Sequence, residues 1–174
     1  MTNEIKTSEN KTQEWLENWV EEPTAKKETK KAVSYIRVAT KEQADNGFSI
    51  AQQHDGNNAF ATQNGYSIVK TFQDVGKSAG NLDRPALKEM VEYIKSHKNE
   101  IDAIIVYQLD RLTRNYENYR EILRPLFEKN NIKLLLATGN NDETPEGNLM
   151  RNIGIVLAEY DSNLLSKNRS KLSK

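Results

Sequence analysis

The chain has 174 residues with 25 basic and 25 acidic side chains, so its formal net charge at neutral pH is zero. This length allows one domain of ordinary size with a tail, and the balanced charge excludes a protein drawn to nucleic acid or anionic membrane by a strong overall positive field. The sequence has no cysteine, which excludes disulfides and thiolate metal sites and fits a cytoplasmic protein, and no apolar run approaches the ~20 residues of a membrane span, so we expect no membrane partner.

Residues 1–31 differ in composition from the rest of the chain. They are rich in Glu, Lys, Thr and Asn, with Pro23 near the middle, and we predict a mostly disordered tail. Within the tail, residues 12–20 form a possible short helix with Trp15, Leu16, Trp19 and Val20 on one face, since positions three and four apart are neighbours on a helix. Such a helix is marginal in water by itself. We favour a segment that packs loosely on the body over a peptide that docks on a partner.

From Ala32 onward, apolar runs typical of strands alternate with stretches typical of helices. This rhythm predicts an α/β domain, a mainly parallel sheet with flanking helices, over residues 32–143. The predicted strands are residues 32–38, 67–72, 103–106 and 133–137. The predicted helices are residues 49–64, closed by Gly65, residues 84–97, opened by Asp83 and Pro85, and residues 116–129.

A long helix is predicted at the C-terminal end, within residues 144–174. Thr144 and Pro145 provide an N-cap and a proline at the first helical position. Apolar residues then recur at spacings of three and four: Leu149, Ile153, Val156, Tyr160 and Leu164. Because the helix is longer than one small domain covers, we expect part of this stripe to contact another chain or a second domain, and we predict self-association. The alternative is a helix that frays after about Asn163.

The candidate site consists of charged residues that follow the predicted strands, where ligands bind in open α/β sheets. The first strand leads to Arg37, Ala39 and Gln43, the third leads to Asp110, Arg111 and Arg114, and Arg84 opens the second helix, where main-chain amides favour an anion. Four arginines at one edge predict an oxyanion or phosphodiester site, because guanidinium donates two parallel hydrogen bonds to phosphate. Asp110 is interpreted as the partner that orients one of them. Separate surface ion pairs are the alternative, against which the position of Arg37 inside an apolar strand argues.

Other kinds of site fit the sequence less well. Gly76-Lys77-Ser78 imitates the end of a P-loop, but Thr71 stands where its first glycine is required. His54 and His97 lie on separate predicted helices with no second ligand at metal spacing. No dinucleotide fingerprint follows the first strand. We therefore expect neither a cofactor nor a metal.

Several of these segments together resemble the catalytic domain of serine site-specific recombinases, the resolvase and invertase family. They are Tyr35-Ile36-Arg37-Val38-Ala39-Thr40, Glu42-Gln43, Phe48-Ser49-Ile50-Ala51-Gln52-Gln53, Asp83-Arg84-Pro85-Ala86-Leu87 and Leu109-Asp110-Arg111-Leu112-Thr113-Arg114. The resemblance extends from Ala32 to about Lys167, and Ala39 stands where the family has its nucleophilic serine. It implies that Arg37, Arg84, Arg111 and Arg114 contact the scissile phosphate of double-stranded DNA, that Gln43 and Asp110 support them, and that the last helix holds a dimer or tetramer.

The chemistry implied by the resemblance is transesterification without metal or cofactor. A serine hydroxyl attacks a DNA phosphodiester, forms a phosphoserine link and frees a 3′-hydroxyl, and the reverse step rejoins strands. Alanine lacks the attacking oxygen, and the hydroxyls of Ser34, Thr40 and Ser49 are poor substitutes, so we expect no cleavage. Because the family usually continues into a DNA-binding region beyond the position of Lys174, we expect weak, salt-dependent DNA binding.

Three interpretations remain open from the sequence. The first is a recombinase catalytic domain whose nucleophile has been replaced deliberately. The second is a naturally silent relative that acts as an interaction or regulatory partner, for example by joining an active recombinase through its last helix. The third and most remote is an unrelated α/β phosphate binder.

Overall fold

A computed structural model describes residues 29–38, 50–76 and 83–172 of the chain. The strands are β1 (Lys30–Val38), β2 (Tyr66–Val75), β3 (Ala103–Val106) and β4 (Lys133–Leu136). The helices are α1 (Ile50–Gln63), α2 (Pro85–Ser96), α3 (Leu109–Leu112), α4 (Tyr116–Asn118), a π-helical segment (Tyr119–Leu123), α5 (Arg124–Lys129) and α6 (Pro145–Leu172). The predicted tail, with its short helix, lies outside the described residues.

The four strands form one parallel sheet in the order β2-β1-β3-β4. The predicted fold class is confirmed: a mainly parallel sheet with flanking helices and a long C-terminal helix. The central strands β1 and β3 are buried on both faces, which explains their nearly continuous apolar sequence. Because all strands run in one direction, the segments that follow them meet at one edge of the sheet.

Side chains on the two faces of the sheet enter separate apolar clusters. On the larger face, Leu87 and Met90 of α2 and Phe127 of α5 pack against Val33 and Tyr35 of β1. On the smaller face, Ala61 of α1 packs against Ala32 and Ile105. Neighbouring residues of β1 therefore serve opposite faces, as strand geometry requires, and α2 and α5 share one side of the sheet.

The third predicted helix is not continuous. The π-helical segment interrupts it, and α5 then begins with Arg124 and Pro125. Proline has no main-chain N–H, and its ring clashes with the carbonyl four residues earlier, so it disfavours the regular α-helical hydrogen bond there. The short helix α3 was also not predicted, and β2 continues to Val75, beyond the predicted end at residue 72. That extension places Asp74 inside the sheet.

Helix α6 contacts the body through part of its surface and leaves an apolar face uncovered. Ile155 is fully buried in the larger cluster. The five residues of the predicted stripe are between 42% and 61% exposed: Leu149, Ile153, Val156, Tyr160 and Leu164. We call these five residues the α6 stripe. Among the described helices, α6 included, none is long and apolar enough to cross a membrane.

Candidate active site

The structure brings the four predicted arginines together at the carboxyl edge of the sheet. Arg37 lies near the end of β1, Arg84 precedes α2, Arg111 lies in α3 and Arg114 follows α3. Arg37 and Arg84 are almost completely buried, at 1% and 0% exposed, and Arg111 is 8% exposed. The alternative of separate surface ion pairs does not describe these three buried side chains.

Main-chain carbonyl groups of α3 hold the two most deeply buried arginines. The carbonyl oxygen of Arg111 accepts hydrogen bonds from Arg37 Nε at 3.0 Å and from Arg84 Nη1 at 3.4 Å. Arg37 Nη2 donates to the carbonyl oxygen of Asp110 at 3.1 Å. These acceptors are neutral, so they orient the guanidinium groups without cancelling their charge.

Asp110 pairs with two arginines, whereas the sequence suggested one. Its Oδ1 accepts from Arg111 Nε at 3.2 Å, and its Oδ2 lies 3.0 Å from both Arg111 Nη2 and Arg114 Nη2. The carboxylate therefore orients the two guanidinium groups of the α3 segment. Arg114 is the more accessible of the two, with 31% of its side chain exposed.

A second carboxylate, Asp74, belongs to the site and was not predicted from the sequence. Tyr35 donates its hydroxyl hydrogen to Asp74 Oδ2 at 2.8 Å and accepts from Arg84 Nη1 at 3.2 Å. Asp74 also accepts from the main-chain N–H groups of Ala86 and Leu87, each at 3.1 Å. The prediction that the first amides of α2 serve an external anion is wrong, because Asp74 already occupies them.

Burial shifts the titration of this cluster. Removal from water, together with the nearby charges of Arg111 and Arg114, lowers the pKa of Arg37 to about 10. Arg37 therefore still carries its charge at neutral pH. Burial and the hydrogen bond to Asp74 raise the pKa of the Tyr35 hydroxyl, which stays protonated and able to donate.

Arg84 has donors with no partner among the described residues. Its Nε and Nη2 atoms are buried and make no hydrogen bond there. The guanidinium carbon lies 5.7 Å from the centre of the Tyr35 ring, which supports the charge from one side. Buried donors of a charged group are costly to leave unpaired. An oxyanion that reached these donors would satisfy them.

Polar side chains of α1 hold the main chain of β1 near its carboxyl end. Gln53 accepts from the Arg37 N–H at 3.3 Å and donates to the Arg37 carbonyl at 3.1 Å. Asn57 donates to Ser34 Oγ at 2.9 Å, and Ser34 is 1% exposed. This burial agrees with the expectation that Ser34 is a poor nucleophile. Ala39 and Gln43 lie outside the described residues.

Helix α6 is tied to the segment that follows Arg114. Glu159 accepts from the Tyr116 N–H at 3.1 Å and from Asn115 Nδ2 at 3.4 Å. Asn115 in turn caps α4, since its Oδ1 accepts from the Asn118 N–H at 2.7 Å. The long helix is thus connected through these contacts to the segment that carries Arg114. In the described ranges, no three His, Asp or Glu side chains gather so as to hold a metal ion.

Comparison with known proteins gives consistent matches. The family model described as "Resolvase, N terminal domain" matches residues 32–173. A putative DNA recombinase of Bacillus subtilis (strain 168) is 34% identical over 127 residues, which are 73% of this chain and 24% of that protein. The chain thus spans about a quarter of the length of this relative.

Two further matches extend the comparison. An uncharacterized immunity region protein 3 of Bacillus phage phi105 is 39% identical over 61 residues, which are 35% of this chain and 74% of that protein. Among solved structures, the N-terminal catalytic domain of TP901-1 integrase matches with a TM-score of 0.62 and 31% identity. That match covers 78% of this chain and 98% of the solved chain.

Proposed function

This chain belongs to the resolvase N-terminal domain family, the catalytic domains of serine recombinases, and from that premise we propose that its arginine cluster binds the scissile phosphate of double-stranded DNA. Arg37, Arg84, Arg111 and Arg114 are the proposed phosphate contacts, with Asp110 and Gln43 as their supports. The observation that carries the proposal is the buried guanidinium of Arg84, whose Nε and Nη2 lack a partner among the described residues.

The proposed reaction of the family site requires an oxygen at position 39. A serine hydroxyl there would attack the phosphorus atom, the bond to the 3′-oxygen would break, and a phosphoserine link and a 3′-hydroxyl would result. Arginine donors would stabilise the charge that develops on the other phosphoryl oxygens. Alanine at position 39 supplies no oxygen, so we propose that this chain binds the phosphate without cutting the strand.

Binding to short duplex DNA tests the phosphate assignment. We expect weak binding that falls as salt rises, because each phosphate contact releases counterions. Arg114→Ala should weaken binding to all sequences alike and reduce the slope of log K against log salt by about 1. Fluorescence anisotropy with a labelled duplex at several salt concentrations measures both quantities.

Arg120→Ala is the matched control for this measurement. Arg120 is an exposed arginine in the π-helical segment, and it pairs with Glu121 at 2.8 Å and not with a member of the cluster. Its replacement should leave the affinity and the salt slope unchanged. Equal losses for the two variants would mean that general positive charge, and not the cluster, binds the DNA.

We also propose that the α6 stripe holds a second copy of the chain. An apolar helix face with side chains up to 61% exposed is unfavourable in water and typical of an interface. Val156→Glu is expected to weaken self-association about thirtyfold or more, because a charge would be buried among apolar side chains. Sedimentation equilibrium over a range of concentrations measures this.

Val69→Glu is the control for the interface. Val69 is 43% exposed on the edge strand β2, close to the 49% of Val156, and does not belong to the α6 stripe. The Val69→Glu variant should have the same association constant as the unmodified chain. Monomers at every concentration, in the unmodified chain, would refute the interface.

A silent interaction partner is the second candidate function. Alanine at position 39 favours it, and so does the likeness to an uncharacterized immunity region protein from Bacillus phage phi105. In this case the α6 stripe would join an active recombinase, and DNA cutting would depend on the other chain. Restoring a serine at position 39 separates the two candidates, because only a domain that lacks nothing but its nucleophile would regain cleavage.

A further inference from the structure

An apolar groove of about 310 Å³ lies between α2 and the helices that follow α4. Its lining consists of Leu87, Val91, Ile122, Leu123 and Leu126, and its charged residues are Lys88, Glu92 and Lys95. We call it the α2 groove. Ile122 is 49% exposed within it. An open apolar groove with charged borders is suited to a few large apolar side chains on a charged peptide.

The chain itself contains a peptide of this kind. Residues 12–22 carry both tryptophans of the sequence, Trp15 and Trp19, and in a helix these share a face with Leu16 and Val20. The same residues include four glutamates and no basic side chain. We propose that residues 12–22 dock in the α2 groove of their own chain, with the two tryptophans on the apolar lining and the glutamates beside Lys88 and Lys95.

Chain topology brings this segment to the groove. A helix that joins parallel strands runs against their direction, so the C-terminal end of α2, with Lys95, lies at the edge where β1 begins. Contacts of the segment that follows α2 agree with this placement. Within that segment, Asp102 Oδ2 accepts from the N–H of Lys31 in β1 at 2.8 Å, and Glu100 lies 3.7 Å from Lys31 Nζ. The groove therefore opens near the point where the N-terminal segment enters the sheet.

The connection is also long enough. Seven residues, 23–29, separate the docked segment from Lys30, and at about 3.3 Å per residue they reach roughly 23 Å. A domain of this size has a radius of gyration of about 14 Å. The connection can therefore cross the face of the domain, and its short length gives the segment a high effective concentration at the groove.

Charge distinguishes the α2 groove from another large groove that the described residues form. That second groove, of about 520 Å³, is bordered by Asp142, Glu143 and Lys133. Lys133 is already paired with Glu143 at 2.8 Å. The remaining negative charge of Asp142 would repel an acidic peptide. The α2 groove is neutral by the same count, because Lys88 pairs with Asp83 at 2.9 Å and Lys95 pairs with Glu92 at 2.8 Å. Exposed ion pairs of this kind contribute little to stability, so the glutamates of the segment can compete for the two lysines.

Tryptophan fluorescence of the full chain tests the proposal, because Trp15 and Trp19 are the only sources of that signal. We expect blue-shifted emission and an acrylamide quenching constant several-fold below the value in denaturant. Ile122→Lys should raise the quenching constant several-fold towards the denatured value. Val69→Lys, at a site of similar exposure outside the groove, should not. Circular dichroism checks that both variants fold. The double variant Lys88→Glu, Lys95→Glu should also raise the quenching constant, because it places negative charge beside the glutamates of the segment.

Crosslinking locates the contact independently. The sequence has no cysteine, so Leu16→Cys combined with Ile122→Cys is expected to form an intramolecular disulfide on mild oxidation, and Leu16→Cys with Val69→Cys is not. Quenching equal to that in denaturant, or unchanged by Ile122→Lys, would overturn the docking. Protection that develops only as protein concentration rises would also overturn it, and would assign the segment to a second copy or to the α6 stripe.

Discussion

Replacing Asp74 by alanine is expected to lower the free energy of unfolding by about 3 kcal/mol, a large effect for one carboxylate. The change removes the acceptor of three hydrogen bonds, from the Tyr35 hydroxyl and from the N–H groups of Ala86 and Leu87. These donors lie in or near the core, where an unpaired donor is costly. The start of α2 also loses its cap, and Arg84 loses the support that Tyr35 transmits.

Urea unfolding followed by circular dichroism measures the effect. Glu89→Ala is the matched control, since Glu89 is a carboxylate with 61% of its side chain exposed, paired with Lys70 at 2.9 Å. An exposed ion pair contributes little, so the midpoint for this variant should hardly move. A loss for Asp74→Ala no larger than that for Glu89→Ala would contradict the role given to Asp74.

The second large effect is expected at position 39. The chain with Ala39 should form no covalent link to DNA, and Ala39→Ser should convert it to a chain that does, if it is a recombinase domain that lacks only the nucleophile. A plasmid library with randomised inserts, trapped with detergent and sequenced at the protein-linked ends, detects the link whatever the target sequence is. The change is from no product to a measurable one.

A double variant shows whether the arginine cluster supports that reaction. Ala39→Ser with Arg114→Ala should give about a hundredfold less adduct than Ala39→Ser alone, since removing one preorganised donor typically costs that much in rate. No adduct from Ala39→Ser would favour the silent partner instead. An adduct from the unmodified chain would refute the proposed inactivity.

The strands and most helices could be predicted because their signals are local. Apolar β1 and β3, the Thr144-Pro145 start of α6 and the spacing of Leu87, Met90 and Ile94 in α2 depend on nearby residues alone. The break at Tyr119–Leu123 could not be predicted with the same ease, because the apolar spacing continues through it and only Pro125 indicates it. The short helix α3 has four residues, too few for a periodic pattern.

The arginines of the candidate site were found because charged residues after apolar strands are visible in the sequence. Asp74 was missed because its role depends on the register of the strands. It lies opposite Arg37 in the β1–β2 ladder, and there its carboxylate contacts the Tyr35 hydroxyl and the start of α2. Gln53 lies in one of the family-like segments but was not predicted as a site residue, since its hydrogen bonds go to the main chain of Arg37. Long-range pairing of this kind has no local pattern.

The carbonyl oxygen of Arg111 accepts from both Arg37 and Arg84, and a carbonyl is the same in every amino acid. Mutation of the Arg111 side chain would therefore remove one positive group and leave the acceptor for the other two in place. The orientation of Arg37 and Arg84 therefore does not depend on which amino acid stands at position 111. The buried arginines can therefore keep their arrangement when a side chain of the cluster changes, because the path of the main chain sets that arrangement.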